Sequence, residues 1–197
     1  MYQKINQYLA QNKREPLNSI DLPVKPVEAA VVVLCFKEGP EDHILLTKRS
    51  ETVAHHKGQI GLPGGVKDPV DDTLWDTALR ETEEEIGITR NLIQYVGELG
   101  RVVTPTGFSV TPFIATLTQP FNMKINPAEI AEIFSVPLPH LLNPQNFSTE
   151  IKTYFGRDYK DPIYTYRDYK IWGATGRILD DMLQVWRLLS QKKEEFF

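Results

Sequence analysis

The chain has one cysteine, Cys35, among its 197 residues, so no internal disulfide can form and a reducing compartment is the default setting. Long apolar runs are missing as well. The longest, AAVVVLCF around Cys35, is far too short to cross a bilayer, and a free thiol in such a stretch packs as a small hydrophobe in a strand. The first residues, MYQKINQYLAQNKRE, lack the apolar segment of a secretory signal. The last three, Glu195, Phe196 and Phe197, are no peroxisomal address. There is no basic surplus: the net charge of −4 argues against bulk nucleic-acid binding. It leaves room for a small anion held by a local basic patch or a metal. Internal repeats and low-complexity tracts are absent. These absences leave a cytoplasmic globular protein, expected as a single domain over 1–197.

What is present alternates strands with a few helices. Residues 2–12 suit a short helix, and the proline-rich 14–28 an extended lead-in. The β-branched segment 28–37, the turn 39–42 and the segment 43–50 read as a hairpin. GLPGG (61–65) lets the backbone bend and approach another group closely. A helix follows, capped at Asp72 or Thr73, with Thr73 and Asp76 as a capping box. Its apolar stripe is Trp75, Ala78, Leu79, Thr82 and Ile86, and Gly87 ends it. Strands are expected at 92–103, 110–118, 132–138 (leading into a short helix) and 161–172, with an amphipathic helix over 173–193. The order implies a mixed sheet covered by helices, an α/β fold. Trp172 and Trp186 are expected in the core beside the last helix. Asp180 and Asp181 are expected at solvent, and His43 and His140 as surface or structural residues.

Within the central helix, RETEEEIG (80–87) crowds four glutamates into five residues. At about 100° per residue, Glu81, Glu84 and Glu85 fall within an arc of about 100° beside the apolar stripe, and Glu83 points elsewhere. Arg80 can pair with Glu84 four residues on. Such a run is either a solvated helix face or a set of oxygens gathered around a cation. The position beside the buried stripe and the glycine turn upstream favour the cation.

The segment GVKDPVDDTLWDTALRETEEEIGI (65–88) resembles the Nudix box. Arg80, Glu81, Glu84, Glu85, Gly87 and Ile88 stand at that pattern's fixed positions. Thr82 sits where an aliphatic is usual. The spacing from Gly65 to Arg80 is one residue longer than the general box, and Asp71 or Asp72 replaces its early glutamate. The resemblance implies a Nudix-type α/β/α sandwich with a mixed β-sheet, and Mg²⁺-dependent hydrolysis (Mn²⁺ substituting) of a diphosphate joined to another moiety. It assigns metal binding to Glu81, Glu84, Glu85 and the Gly65 carbonyl, and gives Arg80 the task of orienting a glutamate. The general base is either a box glutamate or one on a later loop, Glu129 or Glu132.

Upstream, LLTKRSETVAHHKGQIGLPGG (45–65) resembles the additional signature of the coenzyme A pyrophosphatase branch. Leu45, Leu46, Thr47, Arg49, Ser50, Gly58, Pro63, Gly64 and Gly65 match in register, and His56 stands where that branch often has histidine. Ala54 replaces the branch's second arginine and Leu62 its phenylalanine. Residues 103–115 and 171–179 look like this branch too. The resemblance implies substrate contacts from Arg49, His56, Gly58 and Gly64. Lys48, Arg49, His55, His56 and Lys57 form a basic run suited to an anionic substrate, and an arginine fork can bind two phosphate oxygens. Three readings stand: a coenzyme A diphosphatase, a diphosphatase of ADP-ribose, another nucleotide sugar or a dinucleotide, and a ligand sensor without turnover. The expected partner is a small-molecule diphosphate, with neither nucleic acid nor membrane; a homodimer is compatible with the sequence.

Overall fold

The computed structural model describes residues 1–17, 20, 22, 24–52 and 56–191. Two strands lie at its centre. β1 (Val27–Glu38) and β2 (Glu41–Arg49) form the expected hairpin across Gly39 and Pro40. The short strands β3 (Ile60–Gly61) and β4 (Gly64–Val66) pair with β2 and β1. After α2 (Leu74–Ile86) come β5 (Ile93–Glu98), β6 (Val102–Val103) and β7 (Phe108–Leu117). β7 runs parallel to β1 and antiparallel to β5 and β6, so the sheet is mixed. β8 (Ile130–Pro137) pairs antiparallel with β2 and leads into the short α3 (Leu138–Leu142). β9 (Phe147–Tyr154), β10 (Arg157–Tyr166) and β11 (Tyr169–Ile171) make a separate three-stranded antiparallel sheet, followed by α4 (Gly173–Gln191).

The alternation along β1 builds the layers. Ala30, Val32 and Leu34 face one way, onto Ala78, Leu79 and Ile86 of α2. Val33 and Cys35 face the other, in one cluster with Leu179, Met182, Leu183 and Trp186 of α4. That second cluster also takes Ile5 and Leu9 of α1 (Tyr2–Gln11). A period of two on the strand thus feeds two helical layers, giving the α/β/α sandwich. Each fully buried aliphatic side chain contributes about 1.5–3 kcal/mol.

Several expectations change. The strand expected over 92–103 divides into β5 and β6, because the backbone between them is drawn away: Asp181 accepts the Gly100 N–H at 3.0 Å, and Arg101 carbonyl accepts the Leu17 N–H at 2.8 Å. The strand expected over 161–172 is a hairpin, turning at Arg167 and Asp168. β9 was not expected at all; its apolar residues are exposed, so no buried face announces it. Asp181 is buried, not solvated, since it also pairs with Arg14. Asp180 is half-buried and accepts from the Tyr164 hydroxyl at 2.8 Å. Trp172 is half-buried at a cleft with Lys152 over its ring, whereas Trp186 is in the core against Tyr2. Both histidines are structural: His43 is buried against the Ser135 hydroxyl, and His140 meets the Thr165 carbonyl at 2.8 Å. Ala54, His55 and residues 192–193 lie outside the described residues.

Candidate active site

Three chain segments meet at one point. The first is the glycine turn. Gly64 adopts φ +144° hard against β1, where a Cβ would collide with the Ala30 carbonyl, and its N–H donates to Glu85 Oε2 at 3.2 Å. A Cβ on Gly65 would run into the Glu81 carboxylate. The second segment is α2. Its N-terminus carries the capping box, with Thr73 and Asp76 bonded reciprocally, and its C-terminus closes on Gly87 in the left-handed conformation. The buried stripe fixes the helix's rotation, so Glu81 and Glu85 turn toward the glycines. The third is the loop before β8, where Glu129 is held by the Asn126 side-chain amide at 3.1 Å.

Carboxylate oxygens of Glu81, Glu85 and Glu129 lie within 4.8 Å of one another. Glu85 is buried, and burial, with Glu81 and Glu129 nearby, pushes its carboxyl up to about 8 despite the opposing Gly64 N–H and Arg49. Glu81 is raised as well, mainly by burial and against the effect of Arg80. Three carboxylates gathered at a cost in solvation and repulsion suit a hard divalent cation, which takes oxygen ligands. The donor set therefore fits a divalent metal ion.

Arg80 is clamped rather than free. It holds Asp71 through two bonds of 3.0 Å, the Glu81 carboxylate at 2.9 Å, the Glu84 carboxylate at 3.0 Å and the Val66 carbonyl at 3.1 Å. The Arg80 guanidinium holds the buried Asp71 carboxyl well below the usual carboxylate range. Between Asp71 and Asp72, it is Asp71 that faces Arg80. Glu84 stands outside the group of three, with its side chain 53% exposed, and Glu83 is solvated. Glu132 points away and accepts from the Tyr169 hydroxyl at 2.6 Å.

Arg49 connects this cluster to a cleft. Its Nη1 lies 3.6 Å from Glu85 Oε1, and its buried Nε has no hydrogen-bond partner. The cleft, about 470 Å³, opens between the main sheet and the start of α4, and its walls include Arg49, His56, Thr104, Tyr154, Trp172 and Thr175. Its size falls in the usual range for small-molecule sites. His56 adopts φ +58° and contacts the Gln59 side chain at 2.9 Å. Gly58 sits in the same turn, beside Glu51, and neither it nor Gly64 lines the cleft. Sequence reasoning missed Tyr154 as a wall residue and Asn126 as the holder of Glu129; each depends on contacts between distant segments.

A sandwich of this kind, with helix carboxylates against a glycine turn and a cleft beside them, has the parts of a metal-dependent hydrolase. The NUDIX domain profile matches residues 26–155, and the chain belongs to the Nudix family. It is 37% identical over 155 residues to the Nudix hydrolase NudL of Photorhabdus laumondii, covering 79% of this chain and 83% of that one. It is 34% identical over 171 residues to the human mitochondrial coenzyme A diphosphatase NUDT8, covering 83% and 71%. A MutT/nudix family protein from Enterococcus faecalis shares the fold, with a TM-score of 0.51 at 13% identity over 95% of this chain and 69% of that one.

Proposed function

We propose that the chain, acting as one catalytic domain, is a Mg²⁺-dependent diphosphatase of coenzyme A or its derivatives. The products are 4′-phosphopantetheine and adenosine 3′,5′-bisphosphate. The observation that carries this reading is Arg49, which touches Glu85 and also lines the cleft. A diphosphate bound at Arg49 brings its anhydride bond to the carboxylates while the rest of the substrate occupies the cleft. The relative described as a coenzyme A diphosphatase supports this choice of substrate.

Glu81, Glu85 and Glu129, with the Gly65 carbonyl, would hold the metal, and Glu84 is near enough in the chain to join from the exposed side. When bound, the cation neutralises phosphate charge and acidifies a water. Arg80 orients Glu81 and Glu84 while Asp71 anchors it. Arg49 and His56 bind phosphate oxygens, the former through the part of its guanidinium that faces the cleft. Glu129, held by Asn126 but otherwise at the open side of the cluster, accepts the water's proton. Gly58 and Gly64 serve the substrate through backbone shape only.

The test is incubation with Mg²⁺ and, separately, coenzyme A, ADP-ribose, NADH and a diadenosine polyphosphate, with products separated by chromatography. Preferential release of 4′-phosphopantetheine is expected. Faster cleavage of ADP-ribose or a dinucleotide would overturn the substrate assignment, and binding without turnover would overturn the enzyme mechanism. Arg49→Ala is expected to raise KM for coenzyme A about tenfold or more, the loss of one charge-assisted contact; an unchanged KM removes Arg49 from phosphate binding.

A further inference from the structure

β9 is the outer strand of the three-stranded sheet. It pairs with β10 in an unbroken register from Phe147 opposite Tyr164 to Tyr154 opposite Arg157, and among the described residues no strand pairs along its other edge. Neither a proline nor a bulge interrupts it, and the charges it carries, Glu150 and Lys152, are of opposite sign and so do not repel a second copy laid antiparallel. Exposed apolar side chains lie along it instead: Phe147 at 37%, Ile151 at 70%, and Phe155 at the hairpin tip at 61%.

The order of residues is self-complementary. Read in either direction from Ile151, FSTEIKTYF (147–155) meets a charge, then a threonine, then a small or aromatic hydroxyl residue, then a phenylalanine. The charges are opposite, Glu150 on one side and Lys152 on the other. Two copies aligned antiparallel about Ile151 therefore set Glu150 against the second copy's lysine, Thr149 against its second threonine and Ser148 against its tyrosine, twice over, with Phe147 beside the second copy's hairpin tip. The backbone agrees with this alignment. Tyr154 and Arg157 flank a two-residue turn, Phe155 and Gly156, both with positive φ. They therefore bond to each other, and the alternate residues Thr153, Ile151 and Thr149 turn their N–H and C=O groups outward. A two-fold axis at Ile151 then falls on a hydrogen-bonded pair, and the charged pairs fall on the non-bonded positions, where side chains come closest. The in-chain contacts of these charges, Glu150 with Lys170 at 3.5 Å and Lys152 over Trp172, leave Glu150 solvent-exposed, where such pairs are weak.

We propose that the free edge of β9 is the interface between two copies of this chain, joined antiparallel about a two-fold axis through Ile151 into one six-stranded sheet. The experiment is sedimentation of the full chain across a concentration series, with charge-reversal and cysteine variants. The wild type is expected to dimerise. Glu150→Lys and Lys152→Glu are each expected to weaken the dimer roughly tenfold, since each turns two attractive cross-strand pairs repulsive; the double reversal is expected to restore it. Under oxidation, Ile151→Cys should cross-link to itself, because a bonded pair holds its Cα atoms about 5.5 Å apart. Thr149→Cys should link only when combined with Thr153→Cys. A wild-type protein that stays monomeric at tens of micromolar, or a dimer indifferent to both single reversals, overturns the proposal; so does an Ile151→Cys protein that does not link.

Discussion

Glu85 concentrates the conflict that the site is built on. It is buried, it sits beside two other carboxylates, and among the described residues one backbone N–H and the Arg49 guanidinium, 3.6 Å away, offset that. In metal-free protein its carboxyl is shifted from the ordinary 4.5 to about 8. A raised acid binds more protons folded than unfolded between those values, so its contribution to stability is intact at low pH and declines as pH rises through the window. Metal-free protein should therefore lose thermal stability from about pH 5 to pH 8, and saturating Mg²⁺ should remove much of that slope. Glu85→Gln should flatten the same slope, keep the fold, and lower turnover by at least about 10²-fold. Thermal melts across pH, with and without metal, beside steady-state rates, check all three; a mutant with near-normal turnover would displace Glu85 from the centre. The neighbouring Asp71 behaves oppositely. Its depressed carboxyl stabilises the fold above the unfolded carboxylate range and is lost only in strong acid. Asp71→Asn should cost about 1.5–3 kcal/mol at neutral pH, since it breaks two charge-assisted bonds to Arg80. Chemical denaturation measures it.

At the scale of elements, the sequence was most legible where one element carries its own signal. The α2 capping box, its stripe and its terminal glycine all lie within a few turns and all appear as read. The orientation of Glu81 and Glu85 followed, because the stripe fixes the helix's rotation. The choice between Glu129 and Glu132 was not legible, because it depends on how β2 meets β8. The register shifts between Lys48 and Arg49, so Lys48 faces Glu132 while Arg49 faces Ile130, and the Glu129 carbonyl takes the Ser50 N–H at 2.8 Å. That irregularity carries Glu129 to Arg49's side of the site and leaves Glu132 with Tyr169. Nor could periodicity separate β5 from β6, since the break comes from Leu17 and Asp181, distant in the chain. The glycine turn makes an element-scale prediction. Gly64→Ala drives a methyl into the β1 backbone at a φ that side chains rarely adopt. It should cost stability and, by moving the N–H that holds Glu85, turnover as well. Thr73→Ala at the far end of α2 should cost about 1 kcal/mol while leaving turnover intact. Comparing rates at matched folded fractions separates the two effects.

Over the whole molecule, the cleft is closed by parts that lie far apart along the chain. Its floor is the main sheet, the carboxylates of α2 and of the loop at Glu129 adjoin it at Arg49, and its outer wall is the small sheet with the start of α4. The wall is tied together by Asp161 of β10, fully buried, and Arg177 of α4, which donates to it through Nε at 2.8 Å. The Tyr154 hydroxyl joins the same carboxylate at 3.4 Å, so one ion pair locates two cleft residues. Nothing in the local sequence marks this pair, because a lone aspartate in a strand and a lone arginine in a helix are ordinary surface residues until the two elements pack. Asp161→Ala strands a buried guanidinium and should cost about 3–5 kcal/mol. It should also raise KM more than it lowers kcat, since the wall moves while the carboxylates on α2 stay in place. Replacing both partners with apolar residues, Asp161→Leu with Arg177→Met, removes the stranded charge and should recover most of the stability. KM should stay high in that double variant if the ion pair's task is to place Tyr154, and return to the wild-type value if its task is only to hold α4 against the small sheet.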